Sequence, residues 1–98
     1  TILCGLGGIF IEVLNDISAG LSPISNNEAQ QMVQSLRGYK LIQGARGREG
    51  VDENQFVEII QRLSALVEAA PEITEMDINP LIGTQKNIVA VDARVRVG

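Results

Sequence analysis

The sequence of 98 residues contains no histidine, no tryptophan and a single cysteine. Without histidine there is no Ser-His triad, no imidazole metal ligand and no phosphohistidine on this chain. Cys4 alone forms no internal disulfide, and no apolar run approaches the ~20 residues needed to span a bilayer. A reducing cytoplasm is therefore the expected setting. The aromatic residues are Phe10, Tyr39 and Phe56, so the core is expected to be aliphatic and stacking platforms for single-stranded nucleic acid are lacking. A net charge of −4 removes the electrostatic footprint for a phosphate backbone, leaving only local basic clusters for a small phosphorylated ligand. The chain opens inside an apolar stretch, Thr1-Ile2-Leu3-Cys4, with no Met, basic n-region or cleavage pattern. This is the beginning expected of a piece cut from something longer.

With 45% hydrophobic and 20% charged residues, residues 1–98 have enough apolar material for one compact domain with one core. Gly5-Leu6-Gly7-Gly8 opens onto the β-branched run Ile9–Leu14, which turns at Asn15-Asp16 and continues from Ile17 towards Pro23 as a hairpin. Ser25 with Glu28 forms a capping box for a helix carrying Ala29, Met32, Val33 and Leu36, and Gly38 supplies its stop. Residues 39–51, with Lys40, Arg46 and Arg48 among glycines, read as a basic loop. Asp52 and Gln55 cap a second helix, whose expected apolar face is Phe56, Ile59, Ile60, Leu63 and Val67 and whose end is Pro71. Strands at 73–82 and 88–97 complete a ββααββ order. An α+β fold follows, a mainly antiparallel sheet with helices packed on one face.

If the terminal hairpin closes about the Gln85–Lys86 bond, paired residue numbers sum to 171. Glu75 then faces Arg96, Asp77 faces Arg94 and Asn79 faces Asp92, all on one face because side chains alternate in twos. Two rungs are expected ion pairs and the third has no cation. Directly opposed Cβ atoms lie ~4.5–5.5 Å apart, so an oxygen from Asn79 and one from Asp92 can share a metal ion. Mg²⁺ suits such a pair, since it takes hard oxygen ligands and leaves positions for water and phosphate. The alternative is a third surface polar pair that only defines register. Pro80 marks an edge or a strand end.

The stretches Gly5–Leu14, Gly44-Ala45-Arg46-Gly47, Met76-Asp77-Ile78-Asn79-Pro80-Leu81 and Val89–Arg94 resemble, in order, successive parts of the ADP-forming acyl-CoA synthetases, in the C-terminal portion of their ATP-grasp module. That module is also similar to the one in the succinyl-CoA synthetase β subunit. The resemblance implies interconversion of acyl-CoA, ADP and phosphate with a carboxylic acid, CoA and ATP through a phosphohistidine. It further implies ATP/ADP and Mg²⁺ as cofactors, with Asn79 and Asp92 as the metal ligands. The implied partners are the remaining half of the ATP-grasp module and a CoA-binding domain or subunit that carries the phosphohistidine; neither nucleic acid nor a membrane is implied.

Gly7 and Gly8 are either a backbone that approaches the nucleotide closely or a tight entry to a strand, and the absence of a following Lys-Ser/Thr excludes a P-loop. Glu12 is either a nucleotide-site residue or a carboxylate at a sheet edge. Arg46 is either a catalytic cation reaching phosphate or a partner's loop, or a solvated loop arginine. The family often has an aromatic-basic pair where this chain has Ala19-Gly20, which raises a second reading as a non-catalytic regulatory module, such as the ligase-like region of a protein acetyltransferase. The nucleotide-binding lysine and adenine-contacting segment of an ATP-grasp module are not in the sequence. The isolated chain is accordingly expected to be inactive.

Overall fold

The computed structural model describes residues 1–7, 15–44 and 50–98. Strand β1 (Ile2–Gly5) pairs antiparallel with β2 (Ile17–Gly20), with Cys4 opposite Ser18 and Gly5 opposite Ile17. The expected strand at 9–14 lies outside the described residues; pairing begins at Ile2, before the glycine cluster. Gly5 is required by this pairing, because a Cβ there would stand 2.6 Å from the Asp16 carbonyl oxygen.

Helix α1 (Asn26–Gln34) starts where the sequence places it. The Ser25 hydroxyl accepts the Glu28 N–H at 3.1 Å and donates to Glu28 Oε1 at 3.0 Å, so the cap satisfies one of the unpaired amides of the first turn. Residues 39–51 are not a loop throughout. Tyr39–Gln43 form a short helix, α2, whose Ile42 is buried. Gly38 introduces this helix rather than stopping α1, which ends at Ser35. Burying Leu36 and Ile42 favours a second turn over an extended loop.

Helix α3 (Glu53–Ala69) is capped by Asp52, whose Oδ1 accepts the Gln55 N–H at 3.1 Å. Its buried face matches expectation at Ile60, with Phe56 packed against the core, and departs from it elsewhere. The fully buried positions are Val57, Ile60 and Ser64, spaced i, i+3, i+7, and they pack with Ala29, Met32 and Val33 of α1. Ser64 belongs to this face because its hydroxyl accepts the Ile24 N–H at 2.8 Å in the interior. A hydrogen-bond need thus turns the helix, leaving Ile59, Leu63 and Val67 half-buried beside the core.

The C-terminal hairpin keeps the expected register but is interrupted. Strand β3 (Ile73–Ile78) pairs with β6 (Ala93–Val97), and β4 (Leu81–Gly83) pairs with β5 (Ile88–Ala90); the 171 register holds from 75–96 through 77–94 and 82–89, while a shift between Ile73 and Glu75 sets Ile73 opposite Val97. The break falls at Asn79-Pro80 and Val91-Asp92, where Pro80 supplies no N–H to the ladder. Its carbonyl nevertheless accepts the Val91 N–H at 3.0 Å, so the two halves remain one hairpin. The chain is therefore α+β with antiparallel pairing, and its described extents are 44 × 26 × 24 Å. No described helix is long and apolar enough to cross a membrane.

Among the described residues, backbone hydrogen bonds tie the hairpin to α3 and its flanks near its tip and at its base. The Thr84 carbonyl near its tip accepts the Asp52 N–H at 3.0 Å, and at its base the Ala70 carbonyl accepts the Ile73 N–H at 3.0 Å. Between these points it arches past α3, and a groove of about 990 Å³ opens between them.

Candidate functional site

The interruption in the hairpin brings Asn79 and Asp92 together. The Asn79 N–H donates to the Asp92 carbonyl at 3.2 Å, which sets the two residues opposite each other as the register requires. Both are exposed. Asp92 Oδ1 accepts the Ala93 N–H at 2.9 Å, an interaction that fixes the carboxylate and leaves Oδ2 directed elsewhere.

The cation pattern differs from the expected ladder. Arg96 reaches Glu75 at 3.7 Å, as expected, but Arg94 Nε lies 3.9 Å from Asp92 Oδ2, and no ion pair joins it to Asp77 among the described residues. The third rung is therefore not without a cation. Asp92 lies at the break just before β6, so Arg94, two residues on, leans along its own chain rather than across. This neighbour was legible in the sequence from the i, i+2 spacing. At 3.9 Å, with the two side chains 83% and 60% exposed, the contact is a loose surface pair and leaves lone pairs on Oδ2 free to serve another cation.

An exposed carboxylate opposite a carboxamide, with one carboxylate oxygen already held by a backbone amide, is a donor set that fits magnesium through one or two protein oxygens. It does not fit a cage site. No group of three or more His, Cys, Asp or Glu able to hold a metal occurs among the described residues.

Gly7 and Asn79 both line the groove between β1 and the hairpin. A Cβ on Gly7 would meet nothing within 4 Å among the described residues, so packing against them does not demand glycine at this position. Gly8, Glu12 and Arg46 lie outside the described residues. Gly20 has a packing reason of its own: a Cβ there would stand 2.7 Å from Met32 Sδ and 3.2 Å from Ile24 Cδ1. The Ala19-Gly20 departure thus coincides with the seat of a core methionine. Burial first and the Asp16 carboxylate second push the Cys4 thiol up to about 11, which keeps it protonated near neutral pH.

The sequence model for the ATP-grasp domain matches residues 1–97. Subunit beta of acetate–CoA ligase [ADP-forming] I from Pyrococcus furiosus is 38% identical over 94 residues, covering 96% of this chain and 40% of that subunit. The 4-hydroxybutyrate–CoA ligase [ADP-forming] of Nitrosopumilus maritimus is 41% identical over 97 residues, 99% of this chain but 14% of the ligase. Among solved structures, the Ca. Korarchaeum cryptofilum dinucleotide forming acetyl-coenzyme A synthetase 1 superposes with a TM-score of 0.92 at 38% identity. That crystal form holds coenzyme A and Mg-AMPPCP, with its phosphohistidine segment pointing towards the nucleotide binding site, and the match covers 98% of this chain and 45% of that one. The chain thus spans less than half the length of each of these relatives.

Proposed function

Because this chain belongs to the ATP-grasp domain family, in the branch that includes the ADP-forming acetyl-CoA synthetases, we propose that it serves the nucleotide step of an ADP-forming acyl-CoA ligase. The reaction is the interconversion of acyl-CoA, ADP and phosphate with the free acid, CoA and ATP. The remainder of the ATP-grasp module supplies the rest of the nucleotide site, and a CoA-binding domain or subunit supplies the phosphohistidine that this chain, having no His, lacks. The observation that carries the reading is the juxtaposition of Asn79 and Asp92 at the break in the hairpin.

Within that reading, Asn79 and Asp92 would hold Mg²⁺ through their side-chain oxygens, leaving its other positions to water and phosphate. When bound, the ion neutralises phosphate charge during phosphoryl transfer. Ala93, by donating to Asp92 Oδ1, keeps the carboxylate aimed, and Arg94 provides a second positive charge beside it. Gly7 keeps open the groove side on which Asn79 lies. Gly8 and Glu12 contribute to the nucleotide site, and Arg46 is the cation that faces phosphate or the phosphohistidine segment. A cytoplasmic setting agrees with the single, protonated Cys4.

The test is reconstitution. The chain co-expressed with the missing part of the ATP-grasp module and a CoA-binding subunit forms ATP from acetyl-CoA, ADP and phosphate, whereas the chain alone forms none. Turnover by the isolated chain, or a reconstituted assembly that binds Mg-nucleotide no better than either part, contradicts the proposal.

A further inference from the structure

One oxygen of Asp92 faces two kinds of cation. Its Oδ1 already accepts the Ala93 N–H at 2.9 Å, which leaves Oδ2 as the freer oxygen, and Oδ2 is the atom that Arg94 Nε approaches at 3.9 Å. That separation is too long for a hydrogen bond. Charge is what joins the two, and at this distance in water it biases an equilibrium roughly fivefold. Oδ2 cannot serve the guanidinium and a metal ion at once without setting the two positive charges side by side.

The register gives Arg94 a second carboxylate. Asp77 is its partner across the strands, as Glu75 is the partner of Arg96 one rung along the same face. At that neighbouring rung the cross-strand pair forms, with Arg96 Nη1 3.7 Å from Glu75 Oε2. An arginine on β6 therefore does reach a carboxylate on β3. The Asp77 side chain is one methylene shorter than that of Glu75, which lengthens the crossing, and the break before β6 puts Asp92 within reach along the chain. Arg94 thus stands between two exposed carboxylates, and among the described residues it is paired with the one that belongs to the candidate metal site. With its side chain 83% exposed, little but that charge holds it there.

We propose that Arg94 is a positioning residue, the counter-cation of the empty metal site, which gives up Asp92 Oδ2 and crosses to Asp77 when Asp92 takes a divalent cation. The inference rests on the metal-site reading above and deepens it by naming a competitor for the ligand oxygen. A guanidinium kept beside Oδ2 would repel a dication there, whereas on Asp77 it balances a carboxylate that is not a ligand. Arg94 in this way weakens the hold of Asp92 on a bare ion. A metal that arrives with nucleotide phosphates, which supply further ligands and negative charge, is favoured over the ion alone.

The experiment follows Mn²⁺, a paramagnetic substitute for Mg²⁺, binding to the reconstituted ligase without nucleotide, by electron paramagnetic resonance at low salt. Arg94→Gln is expected to tighten binding at least roughly threefold, and Arg96→Gln, one rung further away, by less than about twofold. Asp92→Asn is expected to weaken it roughly tenfold or more. With the arginines of this chain ¹⁵N-labelled, the Arg94 Nε–Hε resonance reports its partner. Asp77→Asn should displace that resonance in the Mg²⁺-loaded ligase and leave it in place in the metal-free one. Unchanged or weaker Mn²⁺ binding in Arg94→Gln overturns the proposal, as does equal tightening in Arg96→Gln, which would assign the effect to net charge. A resonance that responds to Asp77→Asn equally in both states, or in neither, also overturns it. The Asp92→Asn variant keeps two failures apart. If it binds Mn²⁺ normally, the metal-site reading falls and this inference with it; if it loses Mn²⁺ while Arg94→Gln changes nothing, that reading stands and only the role of Arg94 is lost.

Discussion

Asp16 Oδ2 accepts the backbone N–H of Gly38 at 2.9 Å while Oδ1 accepts that of Arg37 at 2.6 Å, so one buried carboxylate clamps the turn between α1 and α2 to the start of β2. Asp16 is only 2% exposed. Gly38 is held close for a second reason, since a Cβ there would collide with the Leu6 side chain. Asp16→Ala removes both acceptors and strands two donors, and is expected to cost about 3 kcal/mol in urea unfolding, with Asp16→Asn costing less. A loss below about 1 kcal/mol for Asp16→Ala would mean the clamp does not hold the turn.

The close approach of Gly20 to Met32 predicts a second coupling. Gly20→Val overpacks the Met32 sulfur and should destabilise the chain by about 1–3 kcal/mol. In the Met32→Ala background the same substitution should cost at least about 1 kcal/mol less, as a double-mutant cycle would measure. Strict additivity would remove Met32 as the reason for glycine at this position.

Cys4 is expected to resist alkylation. With the thiol titrating near 11 instead of 9.0, its thiolate fraction at pH 8 is roughly a hundredfold below that of an ordinary cysteine, and iodoacetamide should react correspondingly slowly. The same shift has a stability consequence of definite sign. The unfolded thiol ionises first, so the folded state holds more protons between pH 9 and 11 and stability falls across that window, by at most about 2 kcal/mol. A Cys4→Ala variant should lose this pH dependence; its persistence there would assign it to another group.

The elements with local instructions were legible in advance. Ser25 and Asp52 start their helices because each cap is decided within four residues, and the 171 register follows from turn placement and alternation alone. The face that α3 buries was legible in part: Ile60 lies in the core and Phe56 packs against it, as the spacing places them. Its apolar stripe, read from spacing, includes Ile59, Leu63 and Val67, but Ser64 must reach the Ile24 amide, a partner 40 residues away that periodicity cannot name. The Arg94–Asp92 contact follows only from a broken hairpin, and in the sequence Pro80 marks that break. Gly7, Asn79 and Asp92 were picked out from resemblance together with spacing, and the fold brings Asn79 and Asp92 into direct opposition.

The central claim, that Asp92 is the charged ligand of the metal site, is tested most directly by comparing Asp92→Asn with Asp77→Asn in the reconstituted ligase at saturating Mg²⁺. Both residues are exposed carboxylates on the same hairpin face and neither change alters shape. Each should therefore shift folding stability by no more than about 1 kcal/mol. Loss of a charged metal ligand removes about 3 kcal/mol of transition-state stabilisation, so Asp92→Asn is expected to slow phosphoryl transfer roughly a hundredfold or more. Asp77→Asn, which faces Arg94 across the strands without a direct ion pair among the described residues, is expected to retain most of the activity. Near-normal turnover for Asp92→Asn, or collapse for Asp77→Asn with the fold intact, would contradict the account.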